Sequence, residues 1–461
     1  MLLTGTMNKI DLNLENQIRL TIIGTGYVGL VSGVCLAECG HYVCCADIDE
    51  GKIKSLQSGV VPIYEPGLDV LLQKNLNNNH ISFTTDLKNA VEHADIIMIA
   101  VGTPSNPETN APDLKYVDAV AKSLAPLLQA GQVVVVKSTS PIGAASRLKQ
   151  LIQSYCDVDF SMATNPEFLR EGSAMNDFMQ PDRIVVGVED DSARKLLKKL
   201  YYPFKNSCEL MMTDLASAEM IKYAANAFLA TKITFINEVS NLCEKVGADV
   251  SQVSKGIGLD ARIGSQFLEA GPGFGGSCFP KDTLAMAYVG QQAGANQEIV
   301  ETVIKANDHR LNTLHEKILK LFNGSVQNKT ITFWGVTFKP LTDDMRDSPA
   351  LNIIPQLQSL GAKCVVYDPQ GKNQGESLLP NVTWCESACE AARNADALCI
   401  LTHWPEFYDV NLEEVTISMQ TAHLVDFRNM FNFDIAKKSG FISYTPIGKR
   451  AWVANLEATH S

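Results

Sequence analysis

The sequence predicts an α/β protein: two doubly wound parallel-sheet domains joined by a central helical domain. Strand-like and helix-like stretches alternate over roughly the first 200 residues, the pattern of a parallel sheet with crossover helices. From residue 214 to about 246, Ala, Met, Ile, Leu and Phe recur at helical spacing, and strand signals stay scarce until about Thr330. A second strand–helix–strand plan then begins. At about 150 residues per domain, 461 residues also divide into about three. The expected boundaries are 18–213, 214–325 and 326–461.

Taken in order, Arg19-Leu20-Thr21-Ile22-Ile23 reads as a buried strand and runs straight into Gly24-Thr25-Gly26-Tyr27-Val28-Gly29. A helix over 30–39 stops at Gly40, and a second strand over 42–46 reaches Asp47. Further strands are expected at 81–84, 95–101, 132–137, 160–164 and 183–188. In the third domain a strand over 330–334, a helix over 349–360 and a strand over 363–368 repeat the opening plan. There Gly335-Val336-Thr337-Phe338-Lys339-Pro340 replaces the glycine triad, so this copy should bind something other than a dinucleotide pyrophosphate.

Composition narrows the function. With 46% hydrophobic and 20% charged residues the chain has material for sizeable cores. Its 39 basic and 51 acidic residues give a net charge of −12, which opposes nucleic acid and anionic membranes as partners. An anionic ligand therefore needs a local basic pocket. Apolar runs such as 96–101 fall far short of the roughly 20 residues that span a bilayer. Met1-Leu2-Leu3 lacks the pattern of a secretory signal, and after the long polar leader Met7 is a second candidate start. Most of the twelve cysteines sit in apolar patterns such as 42–46 and read as core residues of a reducing, cytoplasmic protein. Cys35 and Cys39, like Cys385 and Cys389, have no second pair or His cluster nearby, so no metal site is expected.

Gly24, Gly26 and Gly29 alone fit either a tight turn with close helix packing or a phosphate cradle. Their position between strand and helix favours the cradle, as does Asp47, twenty-three residues beyond Gly24 where a carboxylate takes a ribose diol. The expected cofactor is NAD, because that acid repels the extra phosphate of NADP; Lys52 nearby argues the other way. The loops 101–104, 138–143 and 165–172 follow strands and are candidate rim loops. Thr103 and Thr139 could hold the cofactor or a water, or serve ordinary turns. Glu167 and Glu171, four apart, would share a face in a helical turn, as a site or as a pair of surface acids. On the middle helix Glu219, Lys222 and Asn226 fall on one face, with Asn226 interrupting an apolar stretch. Lys222 draws notice only through these neighbours.

The sharpest motif is Gly271-Pro272-Gly273-Phe274-Gly275-Gly276-Ser277-Cys278-Phe279-Pro280-Lys281-Asp282. Glycines allow close backbone approach to a ligand, and Pro280 favours a first helical turn. Cys278 should thus precede a helix N-terminus with Lys281 beside it, and both features lower a thiol pKa. That describes an activated nucleophile, with a small turn residue as the alternative. The charged cluster Lys339, Asp343, Asp344 and Arg346 suits phosphates or a solvated loop.

Together 24–29, 165–172, 274–282, 335–340 and Leu401-Thr402-His403-Trp404-Pro405-Glu406-Phe407 resemble the UDP-glucose/GDP-mannose dehydrogenase family, and within it the UDP-glucose 6-dehydrogenases, over nearly the whole chain. The cysteine loop and the run Arg170 to Ala174 separate it from relatives acting on UDP-N-acetyl sugars and on GDP-mannose. The resemblance implies two Rossmann-like domains, a central dimerisation domain, and four-electron oxidation of UDP-glucose to UDP-glucuronate with two NAD, a step towards polysaccharide. By position it implies Cys278 as nucleophile through a thiohemiacetal and a thioester. Lys222 would stabilise the oxyanion, Asp282 and a water held with Thr139 would handle protons, Glu171 would be the candidate hydrolytic base, and Asn226 would also be catalytic. NAD would meet Gly24, Gly26, Tyr27, Val28, Gly29, Asp47, Lys52, Thr103, Thr139, Glu171, Lys281 and Arg346. The UDP-sugar would meet Glu167, Phe168, Leu169, Lys222, Asn226, Phe267, Leu268, Gly271, Gly275 and Lys339, with Arg262 reaching across the interface of at least a dimer. Two departures are His403, where the family commonly has Glu, and Phe427, where it has Gly before Arg428-Asn429.

Bottom-up chemistry agrees: reaching the acid level needs a covalent adduct or a hydrate that can lose a second hydride. Competing readings are a two-electron hydroxyacid dehydrogenase with Lys222 and Asn226 as its catalytic pair, and a non-catalytic NAD or nucleotide-sugar sensor.

Overall fold

β1 (Arg19–Ile23) is buried along its last four residues and lies between two parallel neighbours, as a continuous apolar run requires. The computed structural model describes residues 16–106 and 108–454; the candidate starts Met1 and Met7 lie outside the described residues. The chain divides into two compact units between Ala225 and Asn226, inside one long helix, Leu215–Val246.

The first unit holds β1, β2 (Tyr42–Ala46), β3 (Ile81–Thr84), β4 (Ile96–Ile99), β5 (Val133–Val136), β6 (Ser161–Thr164), β7 (Arg183–Val188) and β8 (Glu209–Thr213) in one sheet, in the order β3-β2-β1-β4-β5-β6-β7-β8. Alternation along β5 shows why both faces are covered: Val133 and Val135 enter one core while Val134 and Val136 enter the other. All pairings are parallel except β6 with β7. The expectation of a wholly parallel sheet is thus corrected at its far edge. Between β6 and β7 the chain makes a loop and only a six-residue helix, Ala174–Met179, too short to carry it back along the sheet. β8 escaped the sequence reading because Glu-Leu-Met-Met-Thr is a half-exposed edge strand without an apolar run.

The second unit holds β9 (Thr330–Trp334), β10 (Lys363–Tyr367), β11 (Thr383–Trp384), β12 (Ala397–Ile400), β13 (His423–Asp426), β14 (Ser443–Pro446) and β15 (Trp452–Val453), in the order β11-β10-β9-β12-β13-β14-β15. Each sheet reverses its winding beside its first strand, and a ligand binds in the crevice at such a switch point. Both domains are Rossmann-like. The rest of the long helix and the helices Val250–Gly258, Phe279–Gln292, Glu298–Thr313 and His315–Leu321 precede the second sheet.

The triad glycines have separate physical duties. A Cβ on Gly29 would lie 1.9 Å from the Gly24 carbonyl oxygen, a backbone atom that cannot step aside, whereas one on Gly26 would meet nothing within 4 Å. Gly29→Ala should therefore destabilise the first unit by about 3 kcal/mol or more, and Gly26→Ala by under about 1 kcal/mol. Urea unfolding checks this; equal midpoints for the two variants would refute it.

Candidate active site

β1 ends at Gly24, whose φ of +102° turns the chain towards Gly26, the N-cap of the helix Tyr27–Glu38. No side chain caps that helix, so the first-turn amides of Tyr27, Val28 and Gly29 face outward, as anion binding requires. Asp47, at the end of β2, accepts from the Thr25 amide at 2.8 Å, the Thr25 hydroxyl at 2.7 Å and the Asp49 amide at 3.1 Å. Burial raises its pKa, but these bonds and the Lys52 ammonium, 3.7 Å away, outweigh that and hold it below the usual value. An ionised diol acceptor beside open helix amides fits a dinucleotide, and Lys52 is turned to Asp47.

The tyrosine of the triad donates to Glu65, a buried carboxylate that also accepts from the Gly172 amide at 2.6 Å. Burial, then Glu65, then the nearby Glu171 charge push the Tyr27 phenol far above its ordinary pKa. Glu171 therefore belongs to the glycine-triad side of the site. The Thr103 hydroxyl donates to the Thr139 carbonyl at 2.6 Å, tying together two rim loops 36 residues apart, while Thr139 is half-buried on the same rim.

Glu167 and Glu171 do not share a helical face: 165–170 is extended loop, with the Leu169 amide donating to Glu167 at 2.6 Å. Glu167 instead pairs with Lys222 at 3.1 Å, both side chains 4% exposed. Burial raises the Glu167 pKa, but Lys222, the Leu169 amide and Lys137 bring it below the ordinary value, so the carboxylate is charged. Phe168 lies under the Arg183 guanidinium, 3.8 Å from its ring centre, with the Lys222 ammonium at 5.4 Å. On the long helix Glu219, Lys222 and Asn226 are all buried, as their shared face suggested. Glu219 accepts from the amides of Gly143 at 2.6 Å and Ala145 at 2.9 Å, capping the helix Ala144–Gln153 behind the Thr139 loop.

In the second unit Cys278 is the N-cap of the helix Phe279–Gln292 and is half-buried. One turn on, fully buried Asp282 accepts from the Asn226 amide at 2.6 Å and from Lys281. Lys281 is thus ion-paired with Asp282 in the same helical turn that Cys278 opens. The loop is tightly placed. A Cβ on Gly275 would lie 2.0 Å from the Asp347 carbonyl oxygen, one on Gly276 would strike the Phe338 ring, and the Gly276 amide donates to the Arg346 carbonyl at 2.9 Å. Below it the Gly271 carbonyl accepts from buried Arg310 at 2.7 Å, and Asn307 exchanges bonds with the Phe274 backbone. Phe267 stacks edge-on against Phe279 at 6.0 Å, and Leu268 is 2% exposed.

The Lys339 ammonium lies 5.7 Å from the Phe338 ring centre, and Arg346 forms a fork with Asp344, its side chain 63% exposed. Arg262 is 89% exposed and paired only locally with Asp260 among the described contacts. Phe427 is wholly buried in the second core; His403 is lowered to about 4 by burial and by Arg428.

Each unit gathers its own share of the expected residues. The first brings together the triad, Asp47, Lys52, Thr103, Thr139, Glu167, Phe168, Leu169, Glu171 and Lys222. The second gathers Asn226, Gly271, Gly275, Cys278, Lys281, Asp282, Lys339 and Arg346; Arg262 stands apart on the surface. Sequence reasoning missed Glu65, whose Glu-Pro-Gly setting reads as a turn, and Lys137, whose signal was a charge directly following the all-buried β5. It also missed Asp368, the counterpart of Asp47 at the end of β10. Asp368 is saturated by six hydrogen bonds, from the amides of Val336, Thr337, Gln370 and Gly371, the Thr337 hydroxyl and the Trp404 indole. The following helix starts only at Ala350. Beyond the glycines that its sequence had already lost, the second copy thus lacks an open carboxylate acceptor and an immediate helix terminus.

Models of the UDP-glucose/GDP-mannose dehydrogenase family match three stretches: its NAD binding domain at 18–205, its central domain at 216–309 and its UDP binding domain at 332–433. The chain is 47% identical over 436 residues to the UDP-glucose 6-dehydrogenase of Rhizobium meliloti, covering 94% of this chain and all of that one. It is 46% identical over 436 residues to the Bacillus subtilis UDP-glucose 6-dehydrogenase TuaD, covering 94% of each. Among solved structures, a UDP-glucose dehydrogenase from Pyrobaculum islandicum superposes with a TM-score of 0.85 at 34% identity, over 93% of this chain and 97% of that one.

One ionisation carries a measurable consequence. Burial raises the Glu219 carboxyl from 4.5 to about 7 against the pull of its two amide donors. The folded state then holds a proton that the unfolded state releases. Stability from this group is full below about pH 4.5 and is lost as pH rises towards 7, by on the order of 3 kcal/mol at most. Urea midpoints at pH 5 and pH 8 should differ less in Glu219→Gln than in the parent; an identical pH dependence would contradict the assignment.

Proposed function

Because the chain belongs to the UDP-glucose/GDP-mannose dehydrogenase family and is an NAD-dependent oxidoreductase, we propose that it carries out the four-electron oxidation of UDP-glucose to UDP-glucuronate. The observation that carries this reading is Cys278, a half-buried thiol at a helix N-terminus and at the end of a tightly packed glycine loop. An oxidation that stopped at the aldehyde would need no such group.

NAD, held by the Gly24–Gly29 turn, Asp47 and Lys52 with Thr103, Thr139, Glu171, Lys281 and Arg346, supplies the hydride acceptor, one molecule for each oxidation. Asp282 and a water held with Thr139 accept the proton of the C6 alcohol as the first hydride leaves C6, giving the aldehyde. The Cys278 thiolate then adds to the C6 aldehyde; the new C–S bond makes the carbonyl oxygen an oxyanion that Lys222 and Asn226 stabilise. Loss of a second hydride from this thiohemiacetal leaves a thioester. Water adds to its carbonyl carbon, Glu171 takes the proton, and the C–S bond breaks to return the thiolate. One sugar alcohol, two NAD and one water thus give one carboxylate, two NADH and three protons. Glu167, Phe168, Leu169, Phe267, Leu268, Gly271, Gly275 and Lys339 hold the UDP-sugar.

We also propose a homodimer built on the long helix. Phe228, Phe235 and Leu242 are 66%, 54% and 61% exposed at seven-residue intervals, a row of large apolar side chains on one helix face that a second copy would cover. Arg262, projecting into solvent, would then reach the neighbouring substrate. Cysteines that serve as core residues, such as Cys35, Cys45 and Cys399, support a reducing, cytoplasmic setting. No helix among the described residues is long and apolar enough to cross a membrane.

The assay is NADH production across a panel of UDP- and GDP-sugars. UDP-glucose should give two NADH per sugar and exceed UDP-N-acetyl sugars and GDP-mannose by about tenfold or more in kcat/KM; one NADH per sugar, or a faster rival sugar, would overturn the reading. Cys278→Ser should lower turnover by at least about a hundredfold. Phe235→Asp should shift the mass in light scattering to that of one chain, and an unchanged dimer mass would remove the stripe from the interface.

A further inference from the structure

Lys137 follows β5 directly and is 3% exposed. Its ammonium donates to the Asn165 side-chain oxygen at 2.9 Å and has no carboxylate within ion-pair distance among the described residues. Asn165 is itself fixed, accepting from the Tyr201 hydroxyl and donating to the Val185 carbonyl at 2.9 Å. A buried ammonium without an adjacent counterion is costly, and an Asn carboxamide with the Phe178 ring, its centre 5.9 Å away, is a weak substitute for one. What the position supplies is charge. Lys137 stands in the field of both Glu167 and Lys222, with burial lowering its pKa to about 8.

The Glu167–Lys222 pair has no net charge of its own. An oxyanion about 3 Å from Lys222 and about twice as far from Glu167 would lose roughly half of the ammonium's attraction to the carboxylate's repulsion. A second buried cation changes the sum. We infer that Lys137 is a positioning residue of the reaction: by offsetting Glu167, it leaves the buried cluster with one net positive charge for the oxyanion at Lys222. This rests on the oxyanion role proposed above for Lys222. Its effect should fall on the transition state, where the negative charge develops, more than on substrate binding.

The test is steady-state kinetics with UDP-glucose and NAD on five variants, with thermal melts in parallel. Lys137→Gln keeps a donor for Asn165 and removes the charge. It should lower kcat about tenfold while KM for UDP-glucose stays within about threefold. In the double variant Lys137→Gln/Glu167→Gln the opposing carboxylate is gone as well, and kcat should rise at least about threefold above that of Lys137→Gln. A merely structural lysine would not be rescued in this way. An unchanged kcat in Lys137→Gln, or a double variant no faster than it, overturns the inference. If the Gln variant does not fold, Lys137→Met, alone and with Glu167→Gln, is read by the same criteria. Lys222→Met separates the two levels. Wild-type kcat there removes the oxyanion role itself, whereas a dead Lys222→Met beside an unaffected Lys137→Gln removes only the part assigned to Lys137.

Discussion

A carboxylate taken out of water must be met by donors, and that constraint organises nearly every loop of functional interest here. Glu65 grips Gly172, Glu219 grips Gly143 and Ala145, and Glu167 grips Leu169 and Lys222. Asp282 holds Asn226 and Lys281. Gly143, Leu169 and Gly172 lie in irregular segments, whereas Lys222, Asn226 and Lys281 lie on helices that their acids tie down. The acids give the loops defined shapes, and around Glu167 the two lysines and the Leu169 amide in turn hold the carboxyl below its ordinary pKa. At Glu219 two amides do not overcome burial.

The cysteine loop is held by a different means. Its glycines let the chain press against Phe338 and Asp347 where any side chain would collide, and Arg310 and Asn307 take up the backbone groups beneath. Close packing above and hydrogen bonds below leave Cys278 little freedom at its helix terminus. Precise placement of a nucleophile is worth more than a strong one loosely held.

What the sequence disclosed follows the range of the forces involved. The glycine triad, the Asp47 position and the Cys278 helix start depend on residues within one strand–turn–helix unit, and all were legible. The direction of β7 and the existence of β8 depend on edge pairing with distant strands. The separation of Glu167 from Glu171 depends on which buried cation or hydroxyl each meets. Lys222 illustrates the divide: its helix was plain from periodicity, but its burial against Glu167 is a contact across 55 residues. Asp368 was legible in principle, since the repeated plan placed it, and only comparison with Asp47 shows that its acceptors are already filled.

That last difference bears on how the molecule handles its cofactor. A protein carrying two similar dinucleotide-type folds risks storing NAD in the wrong one, where it would act as a decoy and lower the free supply. Committing Asp368 to its own loop, and delaying the next helix to Ala350, closes this dead end without altering the sheet. The duplicated architecture keeps its mechanical rigidity while only one copy competes for the nucleotide. No single substitution in the second copy would reopen it, because both the acid and the helix terminus would have to be regained together.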